Sequence, residues 1–143
     1  MDTLTINKLL KNERCYLGTF SRDTLPRSIK NNFLFIVNTD PSTKPGEHWV
    51  AISKNSDGTG EYFDSYGLPP LHKEFITFMY ECFPKGWNFN NIPLQCLSCI
   101  TCGHYCVVYV KFRCHGYSTQ EFIKLFTNDL NFNDTLIKLY SKY

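Results

Sequence analysis

The chain lacks any apolar run approaching the roughly 18–20 residues of a membrane-crossing helix, so no membrane segment is expected. Its first residues, MDTLTINKLLKNER, lack the basic-then-apolar pattern of a secretory leader, so none is expected. An excess of one charge is also missing: 15 basic against 13 acidic residues leave +2, too little for a surface dedicated to nucleic acid. There is no internal repeat, low-complexity tract or run of like charge. Cysteine is not scarce, but seven is an odd number. Without a leader, these read as reduced thiols of an intracellular protein rather than as a disulfide framework.

What is present fits one folded domain, residues 1–143, long enough to bury a sizeable core. Apolar residues at 43% and charged residues at 20% are globular rather than disordered proportions. Aromatics at 16% predict a core rich in rings.

Leu4, Ile6, Leu9 and Leu10 fall at near-helical spacing and predict a short helix over Thr3 to Asn12. Residues 15–32, with Gly18, Ser21, Asp23, Pro26, Asn31 and Asn32, read as loop. Phe33 to Val37 (FLFIV) predicts a buried strand, Asn38 to Glu47 a loop, His48 to Ser53 (HWVAIS) a second strand. NSDGTG, 55–60, is a hairpin turn leading to a third strand, Glu61 to Tyr66, so the first half ends in an antiparallel meander. Leu71 to Phe83 is helical in period and stops before Pro84. Asn88 to Gln95 reads as extended. Cys102 to Arg113 is long and apolar enough for a buried helix, though its valines and tyrosines would also suit a strand. Ser118-Thr119-Gln120-Glu121 is a capping box opening another helix, and Asn133 to Tyr143 is a final amphipathic one. The fold class is α+β, a small and mainly antiparallel sheet packed on the helix that begins at Cys102.

Four segments carry reactive side chains: PGEHW with His48, YFDSYG with Asp64, PLQC with Gln95 and TCGHYC with Cys102. A cysteine nucleophile acts as thiolate, and a helix N-terminus or a neighbouring imidazolium lowers its pKa. Cys102, at the head of the predicted buried helix, is placed for both. A base must reach the sulfur and a third group must orient the base. His48 and Asp64 lie on strands joined by a tight turn and can be neighbours. A tetrahedral intermediate needs oxyanion donors, which the Gln95 amide and the Cys102 N–H can supply if the intervening loop folds back. Each residue also has a plain reading: a strand histidine, a turn aspartate, a small core cysteine. Trp49 is either core packing or a wall of a narrow substrate channel. His72, His104 and His115 read as structural or exposed. His104 competes as a base by proximity in sequence, but residues two apart on a helix do not face each other.

Metal is the rival chemistry. Cys96, Cys99, Cys102 and Cys106 have the C-x2-C-x2-C-x3-C spacing of an iron–sulfur run. Val107 rather than Pro follows the fourth cysteine, and no second run supplies the ligands of a second cluster. A zinc site from Cys96, Cys99, Cys114 and His115 would need two adjacent residues as tetrahedral ligands. No metal ligands are assigned, and an iron–sulfur or zinc-binding module on the Cys96, Cys99, Cys102 and Cys106 run stands as the non-enzymatic alternative.

Taken together, CYLGTFSRDTLP, FIVNTDPSTKPGEHWVAI, EYFDSYGLPP and QCLSCITCGHYC resemble the adenovirus-type cysteine proteases and their relatives in Maverick/Polinton elements and virophages. The proteases of ubiquitin-like proteins share this superfamily. The resemblance runs from about Cys15 to the C-terminus. It rests on His-Trp, Phe-Asp-Ser-Tyr-Gly, and Gln followed after a six-residue spacer by Cys-Gly, in the order His, Asp, Gln, Cys. It implies a circularly permuted papain-like fold with Cys102 as nucleophile, His48 as base, Asp64 as orienting acid and Gln95 as oxyanion donor. Asp64 stands where the adenovirus enzymes usually have Glu, and the chain is shorter than theirs. The implied activity is that of a cysteine endopeptidase cleaving viral or viral-element precursor and capsid proteins after small residues such as Gly. It would act as a monomer in the host cell, nucleus or cytoplasm, and in the virion. Deconjugation of ubiquitin-like modifiers is the alternative within the superfamily. The adenovirus enzymes are stimulated by a viral peptide and by DNA. Nothing in the charge of this chain argues for DNA, and Cys82 is a poor match for a peptide-linking cysteine.

Overall fold

The computed structural model describes residues 1–27 and 33–142. Its centre is the helix α3 (Cys102–Cys114), in which Gly103 and every residue from Tyr105 to Val110 are buried. A helix apolar on all sides must be surrounded. Here α1 (Thr3–Leu10), α4 (Thr119–Ile123), α5 (Leu130–Tyr140) and the sheet enclose it. That enclosure resolves the helix-or-strand ambiguity of its valines and tyrosines, because tertiary burial overrides a weak local preference.

The sheet has five strands in chain order: β1 (Tyr16–Ser21), β2 (Leu34–Asn38), β3 (Trp49–Lys54), β4 (Gly60–Phe63) and β5 (Trp87–Phe89). The expected antiparallel meander is β2–β3–β4. The outer pairs, β1–β2 and β4–β5, are parallel, so the sheet is mixed rather than mainly antiparallel. The helix α2 (Lys73–Cys82) carries the chain from β4 to β5, and a crossover of this kind returns a strand in parallel.

Leu34, Ile36, Ala51 and Phe63 face α3, whereas Phe35, Val37, Val50, Ile52 and Tyr62 pack on Phe75, Phe78 and Met79 of α2. Helices therefore cover both faces of the central strands. This is why FLFIV is an unbroken apolar run rather than an alternating one. The aromatic core is explicit: Phe63 stacks on Tyr109 with centroids 4.3 Å apart, and Phe122 meets both edge-on.

The loop expected over 15–32 is corrected by β1 and by a 3-10 turn, Arg22–Thr24. Gly18, at φ +145°, lies where the register slips between Tyr16 and Thr19, so a bulged edge strand carries the residues of a turn. Residues 28–32 of that expected loop lie outside the described residues. β4 ends at Phe63, three residues earlier than expected, and of the segment expected to be extended over Asn88 to Gln95 only Asn88 and Phe89 pair in a strand, β5 beginning one residue earlier at Trp87. The last helix starts earlier than expected because Asp129 caps it, accepting from the Phe132 N–H at 3.1 Å. Tyr143 lies outside the described residues.

The cysteines require a second correction. Cys15 and Cys114, 99 residues apart in sequence with Cα atoms 5.7 Å apart, form a disulfide. The odd count concealed it, because the pairing joins the start of β1 to the end of α3 and has no local signature. By closing so long a loop, it restricts the unfolded chain. Replacing both cysteines by serine is expected to cost about 2–5 kcal/mol, read by urea unfolding without reductant. Equal stability of the variant and the oxidised protein would remove the disulfide from the account.

Candidate active site

His48 is delivered by the loop Asn38–Glu47, and Asn38 organises that loop. Its buried Oδ1 accepts from the N–H groups of Asp40 and Glu47 at 2.9 and 3.0 Å, while the Thr39 N–H donates to the His48 carbonyl at 2.8 Å. Asp64 is the first residue after β4, across the hairpin. His48 Nε2 lies 2.7 Å from Asp64 Oδ1, both side chains are buried, and the Tyr66 N–H donates to the same oxygen at 2.8 Å. The Tyr66 ring lies flat on the imidazole, centroids 4.5 Å apart.

The turn that returns the chain beneath Asp64 needs Gly67. Its φ is +73°, and a Cβ there would stand 2.7 Å from the Pro93 nitrogen. Asn90, just past β5, clamps Asp64 through its backbone. Asn90 Oδ1 accepts from the Asp64 N–H at 2.9 Å, and its Nδ2 donates to the Asp64 carbonyl at 2.6 Å. Asn90 was not singled out in the sequence, because an asparagine beside a short edge strand carries no pattern.

With Nε2 committed to Asp64, Nδ1 is the nitrogen left to meet the thiol of Cys102, the first residue of α3. Burial works against charge on both partners. Yet the hydrogen bonds to Asp64 and Cys102 push the His48 pKa up to about 9. For Cys102, burial is likewise outweighed by His48 and by the N–H groups of Trp49 and Gly103, which hold the thiol below its ordinary value. Both shifts favour thiolate and imidazolium. Cys106, one turn further along the same helix, is fully buried, and burial drives its thiol well up. The two thiols of one helix are thus shifted in opposite directions.

Above this pair opens a cavity of about 600 Å³, lined by His48, Trp49, Tyr66 and Cys102, with residues of the 40–47 loop on one side and Leu97 to Ile100 on the other. Trp49 packs in the core against α3 and also lines the cavity, its Nε1 donating to the Met1 carbonyl at 2.9 Å. Gln95 is buried and does not line the cavity. Its Oε1 accepts from Ser65 Oγ at 2.5 Å and its Nε2 donates to the Cys99 carbonyl at 2.8 Å, which leaves one amide hydrogen unassigned.

His104 lies outside the cavity lining, and burial foremost lowers its pKa. His72 contacts Arg22, and His115 is exposed beside Glu13. The metal readings fail on placement. Among the described residues no three His, Cys, Asp or Glu side chains gather as ligands, Cys106 is inside the core, and Cys114 is bonded to Cys15.

No protein-family model matches the chain. It is homologous to a cysteine protease of African swine fever virus (isolate Tick/Malawi), 32% identical over 114 residues, covering 71% of this chain and 41% of that protein. The crystal structure of the African swine fever virus pS273R protease superposes with a TM-score of 0.58 at 26% identity, over 99% of this chain and 52% of the other. The chain thus spans about half the length of these relatives. The central domain of a Legionella pneumophila protein, Lpg1148, shares the fold at 15% identity, with a TM-score of 0.57 and coverage of 99% and 94%.

The geometry predicts selective chemistry at neutral pH: iodoacetamide should alkylate Cys102 well before Cys106, and His48→Ala should remove that preference. Peptide mapping by mass spectrometry reads both, and faster labelling of Cys106 would contradict the assigned thiolate. Asn90→Ala should lower the pH at which Cys102 reactivity changes with His48 ionisation, because a less firmly placed Asp64 supports the imidazolium less.

Proposed function

We propose that this chain is a cysteine endopeptidase, with Cys102 as nucleophile, His48 as general acid and base, and Asp64 as the group that orients His48. The observation that carries the reading is the buried His48, held by Asp64 on one nitrogen and in contact with the Cys102 thiol, at the floor of an open cleft. Homology to a cysteine protease supports it.

In this reading the thiolate attacks the scissile carbonyl. The oxyanion is met by the Cys102 N–H at the head of α3 and by the Gln95 amide once Nε2 turns from the Cys99 carbonyl toward the cleft. The His48 imidazolium protonates the departing amine, and water assisted by neutral His48 then hydrolyses the thioester. The scaffold is the circularly permuted papain-like arrangement that the sequence resemblance implies. Substrates are viral or viral-element precursor proteins, capsid proteins among them, cut after small residues such as Gly. The chain works as a monomer in the host cell and the virion.

Cys102→Ala should abolish cleavage of a Gly-containing peptide while leaving the far-ultraviolet spectrum unchanged; retained cleavage would end this reading. Gln95→Ala should reduce kcat by on the order of 10²–10³, the usual effect of losing one oxyanion donor. The active form needs thiolate and imidazolium together. The rate should therefore rise with pH as Cys102 ionises below its ordinary value and fall as His48 loses its proton near 9. Asp64→Asn should bring the falling limb to lower pH. A profile that keeps rising beyond pH 10 would contradict the ion pair. Preference for a ubiquitin-like fusion over the peptide would reassign the substrate and keep the chemistry.

A further inference from the structure

Cys96 and Cys99 flank the turn Cys96-Leu97-Ser98-Cys99, which forms one rim of the cleft and belongs neither to the catalytic pair nor to the core. The Cys99 N–H donates to the Cys96 carbonyl at 3.0 Å, closing a four-residue turn. Such a turn keeps its end Cα atoms within about 7 Å, close to the range a disulfide needs. Ser98 Oγ lies 3.0 Å from the Cys96 sulfur and, as the largest of several influences, lowers that thiol's pKa. Both cysteines are partly exposed, and Leu97 between them is 82% exposed, so a small oxidant can reach the pair. The turn is also tied to the site: the Cys99 carbonyl accepts the Gln95 amide at 2.8 Å, and Cys99 lines the cleft.

We propose that Cys96 and Cys99 are a reversible dithiol–disulfide switch that governs the Gln95 amide; it rests on the endopeptidase reading only for its effect on rate. The oxidant is a low-molecular-weight disulfide such as oxidised glutathione. The Cys96 thiolate attacks one of its sulfurs and expels one glutathione thiol. The Cys99 thiolate then attacks the Cys96 sulfur of the mixed disulfide and expels the second. Two protein thiols are oxidised to one disulfide, and the glutathione disulfide is reduced to two thiols. The dithiol form already makes the Gln95 Nε2 bond to the Cys99 carbonyl; a cross-link across the turn locks that bond, so the amide stays turned into the wall instead of swinging toward an oxyanion. Reduction frees the turn. The Cys15–Cys114 disulfide closes a far longer loop between two packed elements and is expected to stay oxidised over the same range.

The test equilibrates the full chain in glutathione buffers from reducing to oxidising, traps free thiols by alkylation, maps them by mass spectrometry and measures peptide cleavage in parallel. The expected result is a disulfide between Cys96 and Cys99, with Cys102 still open to alkylation. Cleavage by wild type should drop about tenfold, part of the 10²–10³ that an oxyanion donor supplies, and recover on reduction. Cys96→Ser should keep its rate in every buffer. Free Cys96 and Cys99 at all potentials, pairing of either with Cys102, an unchanged rate in the oxidised form, or an equal loss in Cys96→Ser would each overturn the switch. The mapped disulfide is independent of hydrolysis: a chain inactive in every buffer overturns the endopeptidase reading, whereas a chain that never forms this bond overturns the switch alone.

Discussion

The buried contact between His48 and Asp64, 2.7 Å long, is the constraint around which the rest is arranged. A charged pair taken out of water is costly unless its remaining hydrogen-bonding capacity is met. Here the carboxylate also receives the Tyr66 N–H, the imidazole is covered by the Tyr66 ring, and Asn90 grips the Asp64 backbone on both sides. The β3–β4 hairpin supplies the approach of the two residues, Gly67 lets the chain turn beneath them, and Asn38 shapes the loop that presents the imidazole.

The other half of the site follows from where α3 begins. A helix N-terminus favours negative charge, and the Trp49 and Gly103 N–H groups add direct donors to the Cys102 sulfur. Four residues later, the same side chain on the same helix is fully buried in the core, and burial foremost raises its pKa. Reactivity is therefore a property of position along α3, not of the cysteine itself.

Much of this was legible in the sequence. The apolar run at 33–37, the NSDGTG turn and the Ser118 capping box each state their element, because each is a local preference that tertiary structure did not overrule, whereas the apolar segment from Cys102 became a helix only through its burial. His48, Asp64 and Cys102 were legible as a set, since strands joined by a turn and the head of a helix have predictable neighbours. What escaped was non-local. β1 is an edge strand built from turn-forming residues, β4–β5 pairing is made by a crossover, Asn90 acts from outside any motif, and Cys15 finds Cys114 across 99 residues. Gln95 was found as a residue, but its commitment to Ser65 and Cys99 depends on a loop path that spacing does not encode.

The Cys15–Cys114 bond has a consequence beyond stability. It tethers the tail of α3 to the sheet, while the helix head is wedged beneath Trp49. A rod pinned at both ends cannot slide along its axis, so the sulfur at its tip keeps a fixed address. The two rims of the cleft, 40–47 and 97–100, lie outside that anchored rod and meet it only across the opening.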